Sequence, residues 1–224
     1  MSGPPTPLPA ELRARILEAA RSEPVPTRAV GRLRRIRALA IGFGALLVVL
    51  AVLGPRTAGR PPGYVLAMLV AWLPIAALAT WAGVSPGKSM LGRPAALRAA
   101  VVVLTPLAMV VTWVAVAQAW PSTLHDASGP RQHVFCDGLT FALSLGPLLA
   151  FAAIRRASDP VTPRLTGAAI ATVAAAWGAI VLNLLCAFTA PIHILLGHVA
   201  PVVVLALVGT VLTARTVAVR TKTE

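Results

Sequence analysis

Six apolar runs, each near the length needed to cross a bilayer, constrain this chain more than any other feature. They cover residues 38–54, 64–83, 95–118, 134–154, 165–188 and 194–214. An α-helix rises about 1.5 Å per residue, so about 20 apolar residues cross the roughly 30 Å hydrocarbon core. The first run is the shortest, and Arg37 and Arg56 at its ends can snorkel to the interfaces and lengthen its reach. Backbone polar groups in lipid must pair within their own segment, so each run is expected to be a helix. The alternating pattern of a transmembrane β-strand is absent. The expected fold class is all-α: a polytopic bundle of six transmembrane helices with a short amphipathic N-terminal tail. Its parts are a tail at 1–37, a membrane domain at 38–214 and a second tail at 215–224.

Composition agrees. Hydrophobic residues make up 57% of the chain and charged residues only 12%, where a soluble domain carries about 25% charged. The net charge of +13 is that of a chain whose basic residues gather in loops on one side of a membrane. No zinc-finger spacing, RNA-binding signature or base-reading basic helix accompanies it, so direct nucleic-acid binding is not expected. The stretch before the first apolar run is Pro- and Arg-rich and too long for the n-region of a signal peptide, so no cleavage is expected.

Lys and Arg counts orient the bundle. Arg13, Arg15, Arg21, Arg28, Arg32, Arg34, Arg35 and Arg37 precede the first run. Lys88, Arg93, Arg98, Arg155, Arg156, Arg164, Arg215, Arg220 and Lys222 fall on the same side. Only Arg56, Arg60 and Arg131 fall on the other, a split of 17 to 3. The positive-inside rule then places both ends of the chain in the cytoplasm of a bacterial inner membrane. Five or seven spans would break this alternation.

Within the runs, Pro74, Pro106, Pro147 and Pro201 are expected to kink helices rather than end them. Gly167, Ala171, Ala174 and Gly178 recur at helical spacing and permit close helix contact in the fifth span. Ser85-Pro86-Gly87-Lys88-Ser89 ends like a phosphate-binding loop, but the upstream Gly83 is one position too close and no strand precedes it. It reads as an ordinary turn. Mid-span positions are almost purely apolar, with Asn183 the main exception, which argues against a transport pathway.

The remaining polar chemistry gathers at the outer face. His125, His133, His193, His198, Cys136 and Cys186 all fall in outer loops or outer span ends, with Asp126 and Asp137 nearby. Three readings stand side by side. The histidines can be interfacial and the cysteines small apolar fillers. Cys136 and Cys186 can pair in an oxidising compartment, since spans four and five are joined by a short loop and should be antiparallel neighbours. Or thiolate and imidazole can bind a metal, with His133, His193 and His198 as further ligands; His133 and Cys136 suit one helical face, while His193 and His198, five apart, suit it less well. No cofactor is otherwise implied.

The N-terminal tail has its own pattern. Leu12, Ile16 and Ala19 share one face of a segment of helix formers, Glu11 and Arg15 are four apart, and Pro24 and Pro26 end it. Such a helix is marginal alone in water. It is expected to fold on the lipid surface or in the groove of a cytoplasmic protein, with Leu12, Arg15, Ile16 and Ala19 as contacts.

A short basic tail, six spans, Cys136-Asp137-Gly138 opening span four, Arg155-Arg156 closing it, Cys186 ending a small-residue span five, and the Pro191-Ile192-His193, His198 and Pro201 pattern leading into span six occur together. In this the chain resembles the six-span anti-sigma factors of the negative-regulator-of-sigma-F type, including those that control carotenogenesis in response to light. The resemblance implies a non-enzymatic regulator whose tail binds an extracytoplasmic-function sigma factor and releases it on envelope, oxidative or light stress. It also implies that Cys136 and Cys186 are the family's paired cysteines, linked to signal response. The rival is a small membrane enzyme or transport component using the outer His and Cys residues, for which no nucleophile–base pair or carboxylate dyad is evident.

Overall fold

A computed structural model describes residues 11, 14, 18, 28–55, 60–85, 93–121, 129–156, 158 and 161–218. The chain divides into two units, Met1–Arg34 and Arg35–Glu224. In the first, Glu11, Ala14 and Glu18 are helical and exposed; their spacing is that of one helix face. Leu12, Arg15, Ile16 and Ala19 lie outside the described residues, as do His125 and Asp126.

Among the described residues the fold is all-helical. The helices are α1 (Arg28–Leu53), α2 (Pro62–Val84), α3 (Ala95–Ala119), α4 (Pro130–Ile154), α5 (Pro163–Leu185), α6 (Pro191–Gly209) and a short α7 (Leu212–Val217). The first six are long and apolar enough to cross a membrane. Helix α1 starts ten residues before the expected 38, because Arg32, Arg34, Arg35 and Arg37 are themselves good helix formers. It stops at Gly54, whose φ of +66° is the left-handed conformation that ends helices.

Prolines account for most of the other boundary differences. Pro62, Pro130, Pro163 and Pro191 each stand in the first turn of their helix, where a missing N–H costs nothing. Helices α4 and α6 therefore begin earlier than their apolar runs. Helix α5 ends at Leu185, three residues before the expected 188, and Cys186 is the extended residue that caps it (φ −96°, ψ 130°).

Helix α5 is the axis of the bundle: 83% of its apolar window is buried, against 11% for α1. Its small residues are the reason. A Cβ on Gly167 would run into the Gly209 carbonyl of α6, and one on Gly178 into the Ser144 hydroxyl of α4. Tyr64, Met68 and Trp72 of α2 with Met109 and Trp113 of α3 fill the space against Ala171, Ala175 and Ala179. Large apolar side chains such as Ile41, Val52, Leu66, Val70 and Leu149 stay exposed, the inverse of a soluble protein and the pattern expected when lipid is the solvent.

Buried hydroxyls were not legible as such in the apolar runs, and they are satisfied locally. Ser144 donates to the Thr140 carbonyl at 2.6 Å and Thr172 to that of Ala168 at 2.9 Å. At the arginine-rich end Arg98 and Arg155 are buried, and Arg98 donates to the Thr162 hydroxyl at 2.6 Å.

Gly178→Leu should lower the thermal unfolding midpoint in detergent, since overpacking a tight contact costs about 1–3 kcal/mol. Gly138→Ala is the control: nothing lies within 4 Å of its added Cβ, and since alanine is the better helix former the midpoint should not fall.

Candidate functional site: a buried thiol and imidazole cluster

Three helix ends build the site. Cys136 sits in the second turn of α4, Cys186 caps α5, and His193 and His198 lie in α6. The two Sγ atoms are 3.6 Å apart and unbonded. His193 Nε2 is 3.1 Å from Cys186 Sγ. The ligand atoms of Cys136, Cys186 and His193 lie within 4.8 Å of one another, near enough to share a soft cation such as Zn²⁺. Both thiols are about 95% buried, and both histidines are fully buried.

The distance between His193 and His198 in sequence is resolved by the backbone. Leu195–Val199 form a π-helical turn, which adds one residue to the helical repeat, so positions five apart come onto one face. The two rings meet edge-on with centroids 5.6 Å apart. Pro201 has no N–H to offer the Gly197 carbonyl, and the Thr140 hydroxyl donates to it instead at 2.8 Å while also donating to the Cys136 carbonyl at 2.9 Å. Thr140 thereby ties α4 to α6 beside the thiols. Gly197 permits the approach: a Cβ there would stand 3.1 Å from the Cys136 Cβ.

His133 is half-buried beside this group, its ring centroid 5.1 Å from that of His193. It neighbours the cluster without joining the three ligand atoms that converge. Among the described residues, no hydrogen-bond partner within bonding geometry reaches the buried His198 ring nitrogens, the His193 Nδ1 or the side-chain amide atoms of Asn183. The cluster is thus richer in unspent polar groups than an apolar filler site.

Two residues that sequence reasoning passed over belong here. Arg60, read as a loop charge, is 5% exposed and donates from Nη1 to the Asn183 carbonyl at 2.8 Å. Burial pulls its guanidinium below the ordinary arginine value, and the neighbouring Cys186 and Tyr64 groups act against that. Thr140 was one more residue of an apolar run; only the position of Pro201, four after Gly197, marks the carbonyl it serves.

Apolar packing joins this site to α1. Leu46 is 4% exposed and lies in one cluster with Cys136, Leu143, Leu182, Leu185 and Cys186, with Phe43, Val49 and Leu50 packed against it. One turn away, Gly42 and Gly146 bring the α1 and α4 backbones together so closely that a Cβ on either would stand 2.6 Å from the other's carbonyl oxygen.

No curated protein and no solved structure matches the chain. The family described as negative regulator of sigma F does match, over residues 19–218, and that description names sigma F and not the carotenogenesis branch. With nearly its whole length matched, the chain belongs to the negative regulator of sigma F family.

Proposed function

We propose that the chain is a membrane-bound anti-sigma factor that holds an extracytoplasmic-function sigma factor at the inner membrane and releases it on oxidative stress at the envelope. The family supports a sigma-factor partner and a regulatory rather than catalytic role. The observation that carries the stress reading is the 3.6 Å contact of the two Sγ atoms, with Leu46 of α1 seated on the same cluster. Joining the sulfurs requires them to close to about 2.05 Å. That movement draws Cys186 and the α4 turn together and disturbs the seat of Leu46. Helix α1 is the span joined in sequence to residues 1–34, so a shift in its packing is passed toward the segment that binds the partner.

The test is co-purification of the full-length chain with the sigma factor from membranes, with and without a thiol oxidant. The sigma factor should come down with the reduced protein and be lost after oxidation. If it never co-purifies, the partner reading fails.

The orientation rests on the 17 to 3 division of Lys and Arg. Reporter fusions after Arg156 and after Glu224 should read cytoplasmic, and one near Ser128 periplasmic. A periplasmic C-terminus overturns the six-span arrangement.

A further inference from the structure

Beside the thiols lies an open cavity of about 230 Å³. Its wall is largely hydrocarbon, from Phe135, Leu139 and Leu185, and both Cys136 and Cys186 line it. Exposed Arg131 lines it as well. Each of these features bears on what can reach the sulfurs.

Size comes first. A water occupies about 30 Å³ in the liquid, and hydrogen peroxide is little larger, so the cavity has room for several times such an oxidant. Polarity comes second. A small, strongly hydrated oxidant would lose its hydrogen bonds on entering an apolar wall, at a cost it could not recover there. An oxidant with a hydrocarbon body gains on entry. Charge comes third: an exposed guanidinium beside an apolar slot suits a carboxylate or phosphate attached to that body.

We propose that this cavity receives a lipid hydroperoxide, an alkyl hydroperoxide carried on a fatty chain with an anionic head, held at Arg131 and laid along Phe135, Leu139 and Leu185, and delivers its peroxide to the Cys186 sulfur. The proposal rests on the reading of the thiol pair as the stress sensor and names its oxidant. Geometry divides the work. His193 Nε2 is 3.1 Å from Cys186 Sγ, placed to take its proton. Cys186 then attacks the outer peroxide oxygen: an S–O bond forms, the O–O bond breaks, and the alkoxide leaves with the proton held by His193 as an alcohol. Cys186 is now a sulfenic acid. The Cys136 sulfur, 3.6 Å away, attacks it. The S–S bond forms, the S–O bond breaks, and hydroxide leaves with the Cys136 proton as water. One hydroperoxide and two thiols have become one alcohol, one water and one disulfide.

The experiment uses the full-length protein in nanodiscs. Three oxidants are supplied at equal concentration: linoleic acid hydroperoxide, a phosphatidylglycerol hydroperoxide built into the bilayer, and hydrogen peroxide. Thiol loss is followed by alkylation and the alcohol product by mass spectrometry. At least one lipid hydroperoxide should consume both thiols about tenfold faster than hydrogen peroxide, roughly the discrimination of one good apolar contact. The faster of the two identifies free acid or phospholipid as the source. Leu139→Trp, which narrows the cavity, should slow the lipid hydroperoxides more than hydrogen peroxide and so shrink the preference. Arg131→Glu should slow the acidic hydroperoxide and spare its methyl ester. In Cys136→Ser, dimedone should trap a sulfenic acid on Cys186; in Cys186→Ser it should trap none on Cys136.

Equal rates with all three oxidants, or a dimedone adduct on Cys136, overturn the proposal, and do so even if a general thiol oxidant still releases the sigma factor. Conversely, a clear preference for the lipid hydroperoxide without sigma release upholds the site and sinks the sensor reading.

Discussion

Leu12→Asp and Ile16→Asp are expected to switch the target genes on in unstressed cells while the protein stays in the membrane. Leu12, Ile16 and Ala19 recur on one face of a segment of strong helix formers closed by Pro24 and Pro26. A helix that short gains its stability from whatever it lies on. An unpaired carboxylate on the contacting face costs several kcal/mol, which is on the order of a hundredfold or more in affinity. The measurement is reporter expression from a sigma-dependent promoter, with membrane fractionation as the control for folding. Glu18→Lys, at a helical position that is exposed, should repress as the parent does. If both aspartate variants repress normally, the segment is not the binding element, and residues nearer α1 must hold the sigma factor. The family match begins at residue 19, so these residues stand on the physical argument alone.

How much was legible in advance follows from which physical signal each feature uses. Six spans were readable because lipid demands long uninterrupted apolar helices, and no soluble core imitates that. The juxtaposition of Cys136 and Cys186 was readable because a short connection makes α4 and α5 antiparallel neighbours, so their ends away from that connection lie side by side. The place of His198 was not. Five-residue spacing from His193 argues against a shared face in a regular helix, and only the π-helical turn at Leu195–Val199 brings them together. The residue beside that turn is Pro201, expected to kink the helix without ending it, and its missing N–H leaves the Gly197 carbonyl to the Thr140 hydroxyl. Arg60 was counted as an exterior charge, because burial of an arginine depends on acceptors from a distant helix, here the Asn183 carbonyl. The seat of Leu46 on the thiol cluster was hidden for a different reason: nothing in a uniformly apolar span distinguishes the face toward protein from the face toward lipid.

Cys136→Ser, Cys186→Ser and the double variant should share one phenotype: continued repression under oxidant, with the sigma factor still bound. The argument is from stoichiometry. A disulfide or a shared ligand set needs both sulfurs, so losing either abolishes the switched state as completely as losing both, and the single effects should not add. Chain folding should survive each change, because serine is close to cysteine in volume and each sulfur has polar neighbours: Cys186 for Cys136, and His193 and the Phe188 carbonyl for Cys186. The histidines separate the two chemistries. A metal held by Cys136, Cys186 and His193 should be lost or weakened in His193→Ala, and a chelator should then prevent the response to a thiophilic metal, as the serine variants do. A disulfide needs no imidazole once formed, so oxidation of the His193 variant should be slower yet reach the same end point. His198→Ala probes the fully buried ring beside Cys186; it should weaken a metal site and leave disulfide formation nearly unchanged. Alkylation of membranes from stressed and unstressed cells, with and without reductant, gives the direct reading. Should both thiols label equally in all four samples, and the serine variants signal as the parent does, the two cysteines are packing residues and the signal enters elsewhere.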